Sequence, residues 1–451
     1  MKRTLTLVLA VTLLLSLAAC VPEAKPLTWP PVNGNVSPVP DVSPPPEVTP
    51  LSPEVTPGQE QNTKNEDNKE ADNIQIISVS AGEGHTMALD DEGNLWVWGD
   101  NYYGQIGDGN ISTYHNPIYE LLNEFDEYAE MVNGRVRNVD NDVYTPKCIM
   151  SNVKAIYARE GSSFAITNDE ELYAWGYNAD GQLGDGTNIN KLTPTFIMDG
   201  VSDIDSGRGR TIIVKTDGSL WVVGRKFVLR WDDMLQSYER YHEPELLYTN
   251  VRKAVIDKAV RNGNGLLILS KDNTVISYLP KELNSSDFIF HEWKELHDVV
   301  DISSSFQNAY ALTKNGDVYG WGPSQDLGIE TDEFWIYTPV FITTNTKRIL
   351  NTQMLIGNDD TLLIWGTVDE VEDYRNADGT DGGGGVIGDL IKYSSTPSGI
   401  LSNMAMADGR NWHYIALDND GNVYTWGDNF YGQLGDGSNI TRILPQKISF
   451  S

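Results

Sequence analysis

Histidines at one repeated turn position are the first residues in this sequence whose type and spacing could bind a metal ion. His85 and His413 occupy the same position of two similar segments. A metal site built by repetition would need imidazoles at several such positions. The other segments carry different residues there: Ser162, Arg210, Asn308 and Thr352. We therefore predict no metal site, and we expect both histidines to hydrogen-bond to backbone carbonyls.

Glycine spacing offers a second possible chemistry, because Gly104, Gly107 and Gly109 superficially match a dinucleotide-binding loop. The motif precedes no predicted helix and recurs in three copies, so it is better interpreted as a turn. We expect its glutamines to bond neighbouring backbone and its aspartates to cap the turns. These residues are Gln105, Gln182, Gln433, Asp108, Asp185 and Asp436. The sequence therefore predicts no cofactor.

Acidic residues are the remaining candidates for calcium binding or catalysis. Residues 418–421 and 378–381 both invite a calcium interpretation, but neither completes the spacing of an EF-hand loop. No serine, cysteine or carboxylate with a supporting base forms a catalytic set, so we predict a protein without enzymatic activity. The alternative is a polysaccharide-active hydrolase or lyase that uses the acidic residues of one loop: Asp369, Glu370, Glu372, Asp373 and Asp378.

The elements that position these residues recur seven times between Ile77 and the C-terminus, at a spacing of about 50 residues. Each copy reads as an alternating strand, a tight turn, a second alternating strand that ends in Trp-Gly, and a glycine-rich loop. The clearest copies span 82–109, 160–186 and 411–437, and fainter ones span 211–224, 266–278, 309–322 and 353–366. The pattern predicts an all-β fold.

These copies resemble the repeats of the regulator of chromosome condensation family, in which G-x-x-H-x-x-A-L, D-G-x-V-Y-x-W-G and N-x-x-G-Q-L-G-D-G follow one another. The resemblance covers roughly residues 73–451 and implies a seven-bladed β-propeller. It also implies a binding platform. The founding member is a nucleotide exchange factor for a small nuclear GTPase, and a secreted bacterial relative inhibits β-lactamase through its loop-decorated face. No motif assigns a residue of this sequence to either activity.

The N-terminal region indicates export and lipid attachment. Lys2 and Arg3 precede an apolar run, which ends in Leu17-Ala18-Ala19-Cys20. This arrangement is typical of a bacterial lipobox, so we expect residues 1–20 to be a lipoprotein signal peptide and Cys20 to be the lipid attachment site. An ordinary secretory signal is the alternative. Residues 21–72 contain twelve prolines and should form a disordered tether that holds the propeller outside the cytoplasm, at the cell envelope.

Charge and cysteine content restrict the possible partners. The net charge of −31 repels nucleic acid phosphates and anionic lipid surfaces. We therefore predict no nucleic acid partner, membrane contact through the lipid anchor alone, and a monomer. Cys148 is the second of two cysteines, and we expect a small buried side chain rather than a nucleophile.

Proline-led strands determine how we expect the ring to close. Pro146, Pro194, Pro339 and Pro397 each begin a strand-like segment, which we group with the three strands that follow it. The first repeat lacks such a segment, whereas residues 444–450 form an unpaired copy at the C-terminus. We therefore predict a seven-bladed propeller closed by the C-terminal strand, which would complete the first blade beside residues 74–79.

Antiparallel strand order places every loop that follows Trp-Gly on one face of the propeller. The long insertions occur there, at residues 110–145, 225–247, 279–298 and 367–395. Long loops on a rigid scaffold are where binding usually occurs. The first insertion also carries helix signals between Asn116 and Gly134, so we expect a short amphipathic helix.

Aromatic residues outside the repeat pattern form the predicted partner-binding site on this face. They lie in equivalent loops of the first and last repeats, which ring closure makes adjacent: Tyr102, Tyr103, Trp412, Phe430 and Tyr431. Clustered aromatics on a rim can anchor a partner, and the alternative is that they only cover each other. We expect the partner to be a protein or a cell-wall component, and the narrower hypothesis is an enzyme inhibitor of the β-lactamase inhibitor kind.

Overall fold

Seven four-stranded antiparallel sheets form a β-propeller. The computed structural model describes residues 74–115, 131–132, 135–226, 240–257, 265–280, 288–304, 308–324, 327–329, 331–350, 353–366, 394–410 and 413–450. Within these ranges every regular element longer than a single turn is a strand. The seven-bladed all-β fold predicted from the sequence is therefore confirmed.

Each blade consists of four strands that follow one another along the chain from the ring axis outward. Blade 1 contains β1 (Ile76–Ala81), β2 (His85–Asp90), β3 (Leu95–Gly99) and the outer strand β7 (Val143–Met150). Between β3 and β7 the chain forms a separate three-stranded sheet of β4 (Thr113–His115), β5 (Met131–Val132) and β6 (Arg135–Val139). Blade 2 contains β8 (Val153–Arg159), β9 (Ser162–Thr167), β10 (Leu172–Gly176) and β11 (Lys191–Met198). Blade 3 contains β12 (Val201–Gly207), β13 (Arg210–Lys215), β14 (Leu220–Arg225) and β15 (Arg240–Tyr248).

The remaining blades repeat this order. Blade 4 contains β16 (Val251–Asp257), β17 (Gly265–Ser270), β18 (Val275–Pro280) and β19 (Phe288–Glu292). Blade 5 contains β20 (Val299–Ser304), β21 (Ala309–Thr313), β22 (Val318–Pro323) and β23 (Trp335–Thr343). Blade 6 contains β24 (Thr346–Ile349), β25 (Met354–Gly357), β26 (Leu362–Gly366) and β27 (Ser394–Leu401), and blade 7 contains β28 (Met404–Arg410), β29 (His413–Asp418), β30 (Val423–Gly427) and β31 (Arg442–Lys447).

The predicted closure by the C-terminal strand is wrong. The proline-led strands pair with the Trp-Gly strand that precedes them, as Trp96 does with Cys148, so each is the outer strand of its own blade. The C-terminal strand β31 likewise pairs with β30, through Tyr424 and Lys447, and completes blade 7. A repeating sequence can be divided into blades at any phase, because alternation shows which residues face the core but not which strand lies beside which.

The ring closes instead by packing between blades 7 and 1. One core cluster contains Ile76 and Trp98 from blade 1 together with Ile415 and Leu417 from blade 7. Phe450, the next-to-last residue, adds edge contacts to two indoles of blade 1, at 5.8 Å from Trp96 and 5.9 Å from Trp98 between ring centroids. The segment after β31 thus contributes to closure by its side chains rather than by strand pairing.

The hydrophobic core lies between neighbouring blades, and every junction of the ring has such a cluster. Middle strands such as β2 and β9 are buried along their whole length, because both of their faces contact another blade. The periodic tryptophans fill these junctions and are almost fully buried, as expected from their spacing: Trp98, Trp175, Trp321, Trp365 and Trp426.

Charged residues of the innermost strands meet at the centre of the ring. Arg159 of blade 2 lies 3.1 Å from Asp205 of blade 3 and 3.7 Å from Asp408 of blade 7. It also donates to the Ser80 hydroxyl of blade 1 at 3.3 Å. Burial opposes the charge on Arg159, but Asp205 and Asp408 outweigh it and raise its pKa. A single guanidinium therefore connects four blades.

One local expectation is wrong, and a second is wrong at the C-terminal end of the expected helix. Cys148 is exposed on the outer strand β7 rather than buried, because that strand has no blade outside it. Part of its side chain is still covered, and this partial burial together with the nearby Asp90 raises the pKa of the thiol. The raised pKa disfavours the nucleophilic thiolate. In the first insertion, Val132 of β5 pairs with Arg135 of β6, so the expected helix does not extend through residues 131 and 132 to Gly134. The rest of the expected helix, residues 116–130, lies outside the described ranges.

Candidate functional site

The two faces of the propeller differ as the strand order requires. The loop face carries the turns between first and second strands, such as residues 82–84, and the connections that follow the third strands, such as residues 177–190. The plain face carries the tight hairpins, such as residues 91–94, and the links between blades, which have two residues except for the link of residues 293–298 between blades 4 and 5. The strand ends that flank residues 227–239, 281–287 and 367–393 also lie on the loop face.

A repeated hydrogen-bond arrangement holds the glycine-rich loops of the loop face at two junctions, between blades 7 and 1 and between blades 1 and 2. The backbone carbonyl of Gln433 in blade 7 accepts from the Thr86 hydroxyl at 2.8 Å and from the Trp98 indole at 2.9 Å, both in blade 1. The next junction repeats this arrangement, in which Gln105 accepts from Ser163 at 2.7 Å and from Trp175 at 2.9 Å. The glycine-rich loop of one blade is thereby held by the next blade.

The two turn histidines extend this arrangement. His413 Nε2 lies 3.1 Å from the Thr86 hydroxyl, and His85 Nε2 lies 2.9 Å from the Ser163 hydroxyl. Each hydroxyl donates its one proton to a glutamine carbonyl, so each imidazole must donate through Nε2. The predicted bond from histidine to a backbone carbonyl is therefore wrong, because a serine or threonine of the next blade lies between the two groups.

The glycine-rich loops are built around an asparagine and an aspartate, and the predicted capping of these turns by Asp108, Asp185 and Asp436 is confirmed. Asn178, which is fully buried, donates to Asp185 at 2.9 Å and accepts from the Leu183 amide at 3.0 Å. Asp185 also caps the turn by accepting from the Thr187 amide. The glutamine side chains accept from backbone amides of their own loops, at 2.7–3.1 Å: Gln105 from Tyr103, Gln182 from Asp180, and Gln433 from Tyr431. These loops are rigid supports for the residues at their tips.

A glycine in the turn between the first and second strands allows two side chains to meet above each junction. A Cβ on Gly84 would lie 3.1 Å from the Asp100 Cβ and 3.4 Å from the Tyr431 ring. The equivalent contacts are Tyr103 and Tyr177 at Gly161, and Asp180 and Arg225 at Gly209. We call these two flanking side chains a junction pair. Three successive junctions thus present an acid with a tyrosine, two tyrosines, and an acid with an arginine.

The predicted residues Tyr102 and Tyr103 lie together at the tip of the first of these loops. Their ring centroids are 4.8 Å apart in an edge-to-face arrangement, and Tyr103 contacts Tyr177 of blade 2 at 4.6 Å. Tyr102 is 38% exposed, and Tyr103 and Tyr177 are half-buried. The three rings form one aromatic surface across the junction of blades 1 and 2.

The other predicted residues belong to the preceding junction. Tyr431 and Phe430 are both half-buried in the blade 7 loop, and Tyr431 packs on Gly84. Asp100 links the two sites, because it contacts the same glycine and accepts from the Tyr102 amide at 2.9 Å. Trp412 lies outside the described residues.

Three residues of the junction pairs were not predicted from the sequence, although the aligned repeats contain the signal: Tyr177, Asp180 and Arg225. Tyr177 and Arg225 occupy the position after Trp-Gly or its equivalent, where Asp100 and Asp428 stand in blades 1 and 7. Asp180 occupies the position of Tyr103 and Tyr431. These two positions converge on the turn glycine of a junction, which one repeat considered alone cannot show.

The structure gives no support to the metal and catalytic candidates that it describes. Asp418 accepts from the amides of Asp420 and Asn422 at 2.9 and 2.8 Å, so its carboxylate caps a hairpin. Throughout the described ranges, no cluster of three or more histidines, cysteines or acidic residues could hold a metal ion, and no helix is long and apolar enough to cross a membrane. The carboxylates proposed for a polysaccharide-active enzyme, from Asp369 to Asp378, lie outside those ranges.

Comparison with known proteins identifies the repeat. Two family models, both described as regulator of chromosome condensation (RCC1) repeat, match this chain at residues 76–105 and 299–326 and at residues 169–214 and 420–451. The four matches fall in blades 1, 5, 2 to 3, and 7.

Curated relatives and solved structures show distant similarity. The Ultraviolet-B receptor UVR8 of Arabidopsis thaliana is 23% identical over 295 residues, which are 56% of this chain and 66% of that protein. The X-linked retinitis pigmentosa GTPase regulator homolog of Caenorhabditis elegans is 25% identical over 79% of this chain and 24% of that protein. The crystal structure of human WBSCR16 has a TM-score of 0.45 and 15% identity, and covers 84% of this chain and 83% of its own. The chain therefore spans two thirds or less of these curated relatives.

Proposed function

We propose that this chain, a member of the regulator of chromosome condensation (RCC1) repeat family, is a non-catalytic scaffold that binds a protein or a cell-wall component through its loop face. The main supporting observation is the aromatic surface of Tyr102, Tyr103 and Tyr177. Its rings rest on loops that buried hydrogen bonds hold to the next blade. Rigid aromatic anchors lose little conformational entropy when they bind, which favours recognition of a partner.

The position of the scaffold is part of the proposal. We propose that Cys20 carries the lipid and that residues 21–72 tether the propeller on the outer side of the cell membrane. The support is the sequence of residues 17–20 and the proline content that follows. Cys20→Ser should abolish incorporation of a labelled fatty acid and release the protein from the membrane fraction. A variant that is still acylated and membrane-bound would contradict the lipid attachment site.

Site-specific photo-cross-linking tests the binding face. A photoreactive amino acid replaces Tyr102, which is exposed on the loop face, or Ile77, which is 51% exposed at the plain-face end of β1. In cells that make the protein, we expect a discrete adduct from position 102 and none from position 77. Equal adducts from both positions, or an adduct from position 77 alone, would place the partner elsewhere.

Once the adduct identifies the partner, its affinity measures the role of the tyrosines. Tyr103→Ala should weaken binding by about 2 kcal/mol, or roughly 30-fold, because a central aromatic anchor is lost. Ile77→Ala is the matched control and should leave the affinity unchanged.

The narrower proposal, inhibition of a β-lactamase-like enzyme, rests on the family resemblance alone. It fails if the full chain does not slow hydrolysis of a chromogenic β-lactam by the captured enzyme.

A further inference from the structure

Blade 4 has an outer strand unlike those of the other six blades. Each of those six strands contains a proline: Pro146, Pro194, Pro244, Pro339, Pro397 and Pro445. The register of their pairing with the third strand also shifts at least once in each blade. The blade 4 strand β19 contains no proline, and it pairs with β18 in continuous register from Phe288 to Glu292. Prolines and register shifts are two ways in which proteins prevent an edge strand from pairing with another chain, and β19 has neither.

Phe290 stands at the position that proline occupies in the other blades. There, the residue after the proline pairs with the third residue of the third strand, as Val340 does with Gly320. In blade 4 the residue at this register is His291, which pairs with Ser277 and follows Phe290. Proline has no amide proton. Phe290 therefore supplies a backbone N–H where six blades have none.

The backbone N–H of Phe290 points away from β18. At the end of the same ladder, the Trp293 amide donates to the Val275 carbonyl at 2.9 Å. Backbone groups alternate in direction along an antiparallel strand, so residues 289 and 291 bond to β18, whereas residues 290 and 292 point outward. Within the described ranges, β19 is the last strand of its sheet. The edge thus offers the N–H and C=O groups of Phe290 and Glu292 to a further strand.

The side chains along this edge suit an apolar strand. Ile289 and Phe290 are 39% and 42% exposed, and they lie on opposite faces of the strand. The Phe290 ring contacts Tyr248 of blade 3 and Tyr278 of β18, at 4.6 and 4.7 Å between ring centroids. In an added strand, the residue opposite Phe290 would lie on the same face, beside these three rings. Glu292, which is exposed, would attract a basic residue at the end of the edge.

We propose that the β19 edge binds an extended segment of a partner protein as an antiparallel fifth strand of blade 4, with an apolar residue opposite Phe290 and a basic residue opposite Glu292. In strand addition, main-chain hydrogen bonds supply affinity and side-chain contacts supply selectivity. The net charge of −31 favours a basic segment. A second copy of this chain is disfavoured, because it carries the same charge and a five-residue strand buries too little area for a stable dimer.

This edge belongs to the rim of blade 4, whereas the aromatic surface of the proposed function belongs to the loop face of blades 1 and 2. The inference therefore goes beyond the proposed function and does not depend on it.

Hydrogen exchange of the full chain tests whether the edge is open. We expect the amides of Phe290 and Glu292 to exchange rapidly and those of Ile289 and His291 to be protected, because only the second pair bonds to β18. A peptide that adds as a strand should then slow exchange at Phe290. Protection of the Phe290 amide in the chain alone would contradict the inference, since the edge would already be covered by this chain or by a second copy.

Peptide titration tests strand addition itself. The probe is a blocked peptide of sequence Lys-Val-Phe-Val-Lys, whose central phenylalanine would lie opposite Phe290 and whose first lysine would lie opposite Glu292. The matched peptide carries an N-methyl group on its phenylalanine, so it has the same side chains but lacks one backbone donor. The full chain should bind the matched peptide about fivefold or more weakly, because one hydrogen bond is lost. A peptide that adhered through its side chains alone would bind equally in both forms.

Variants locate the interaction. Phe290→Pro gives blade 4 the proline of the other six blades, removes the outward donor and should lower the affinity for the unmethylated peptide by about tenfold or more. Phe290→Ala keeps the donor and loses only the ring, so the affinity should fall less and the preference for the unmethylated peptide should remain. This second variant keeps the test valid if proline impairs folding. Phe196→Ala is the matched control, because it removes a phenylalanine that is 47% exposed on β11, a strand that contains a proline.

Two results of the titrations would overturn the inference. The first is equal affinity of the full chain for both peptides, and the second is an equal loss of affinity in Phe196→Ala. The proposed function fails separately, since an adduct from position 102 on the loop face would persist if only the strand addition were wrong.

Discussion

Both turn histidines are buried between blades, where each donates through Nε2 to a hydroxyl. The opposite ring nitrogen, Nδ1, has no hydrogen-bond partner among the described residues. A proton added there would place an unsolvated charge in the junction. Burial therefore lowers the pKa of His413 to about 4, and burial together with the charge of His413 lowers the pKa of His85 to about 3.

This burial makes the stability of the fold depend on pH. The unfolded chain takes up protons on these histidines below about pH 6.5, whereas the folded chain does so only near pH 3 to 4. Stability should therefore fall as the pH is lowered from 6.5 to 4, by about 1.4 kcal/mol per pH unit for each histidine. Asp428, whose pKa burial raises to about 6, partly offsets this loss because the folded chain gains a proton there.

Urea unfolding at several pH values between 7 and 4.5 checks the prediction. The variant His85→Gln with His413→Gln should have a flatter dependence on pH, whatever its stability at pH 7. His291→Gln on the outer strand β19 controls for the substitution itself. An unchanged slope in the double variant would show that other groups cause the acid sensitivity.

At the scale of elements, the order of strands within a blade explains which segments are essential to closure. The first three strands of each blade lie between neighbouring blades, and the outer strand has one free edge. The outer strand of blade 7 is the C-terminal strand β31, which pairs with β30 alone. Closure then depends on side chains that cross from blade 7 to blade 1, including the contacts of Phe450 with Trp96 and Trp98.

Deleting residues 442–451 tests whether the C-terminal strand belongs to blade 7, as in the structure, or completes blade 1. We expect loss of hydrogen-exchange protection in β30, at Tyr424 and Thr425, which face Lys447 and Gln446. The β1 amides should keep their protection, because β1 pairs with β2 and not with the deleted strand. The same deletion should lower the unfolding free energy by several kcal/mol through lost apolar contact. Selective loss of protection in β1 would instead support completion of blade 1 by the C-terminal strand.

Across the whole molecule, the ring is held by apolar packing at its junctions and by charge at its centre. Arg159 contacts Asp205, Asp408 and Ser80, so blades 7, 1, 2 and 3 share one polar network. Three of them, blades 7, 1 and 2, also carry the tyrosines of the junction pairs on their loop face. The network therefore holds together the sector that supports the proposed binding surface.

Arg159→Met should destabilise the fold by about 3–5 kcal/mol, because the buried Asp408 and the partly buried Asp205 lose their shared cation. Lys347→Met removes a surface partner of Asp360 and should cost no more than about 1 kcal/mol. Thermal and urea unfolding give both values. Similar losses for the two variants would show that the central network contributes no more than a surface pair.

The sequence by itself determined the number of blades, the all-β class and the face that bears the long loops. These features are local: two-residue alternation identifies strands, Asp-Gly turns identify hairpins, and antiparallel order assigns each connection to a face. The supports of the glycine-rich loop, such as Asn178 with Asp185, are local too, because their partners lie within about ten residues.

Only the tertiary structure decided what depends on neighbouring blades. The pairing of β31 with β30, the hydroxyl between His85 and Gln105, and the exposure of Cys148 all follow from which strand lies beside which. The junction pairs are of the same kind, since Tyr103 and Tyr177 are 74 positions apart in the sequence and meet above a glycine of the next blade. Contacts between repeats depend on how blades stack around the ring, and that arrangement leaves no periodic signal within one repeat.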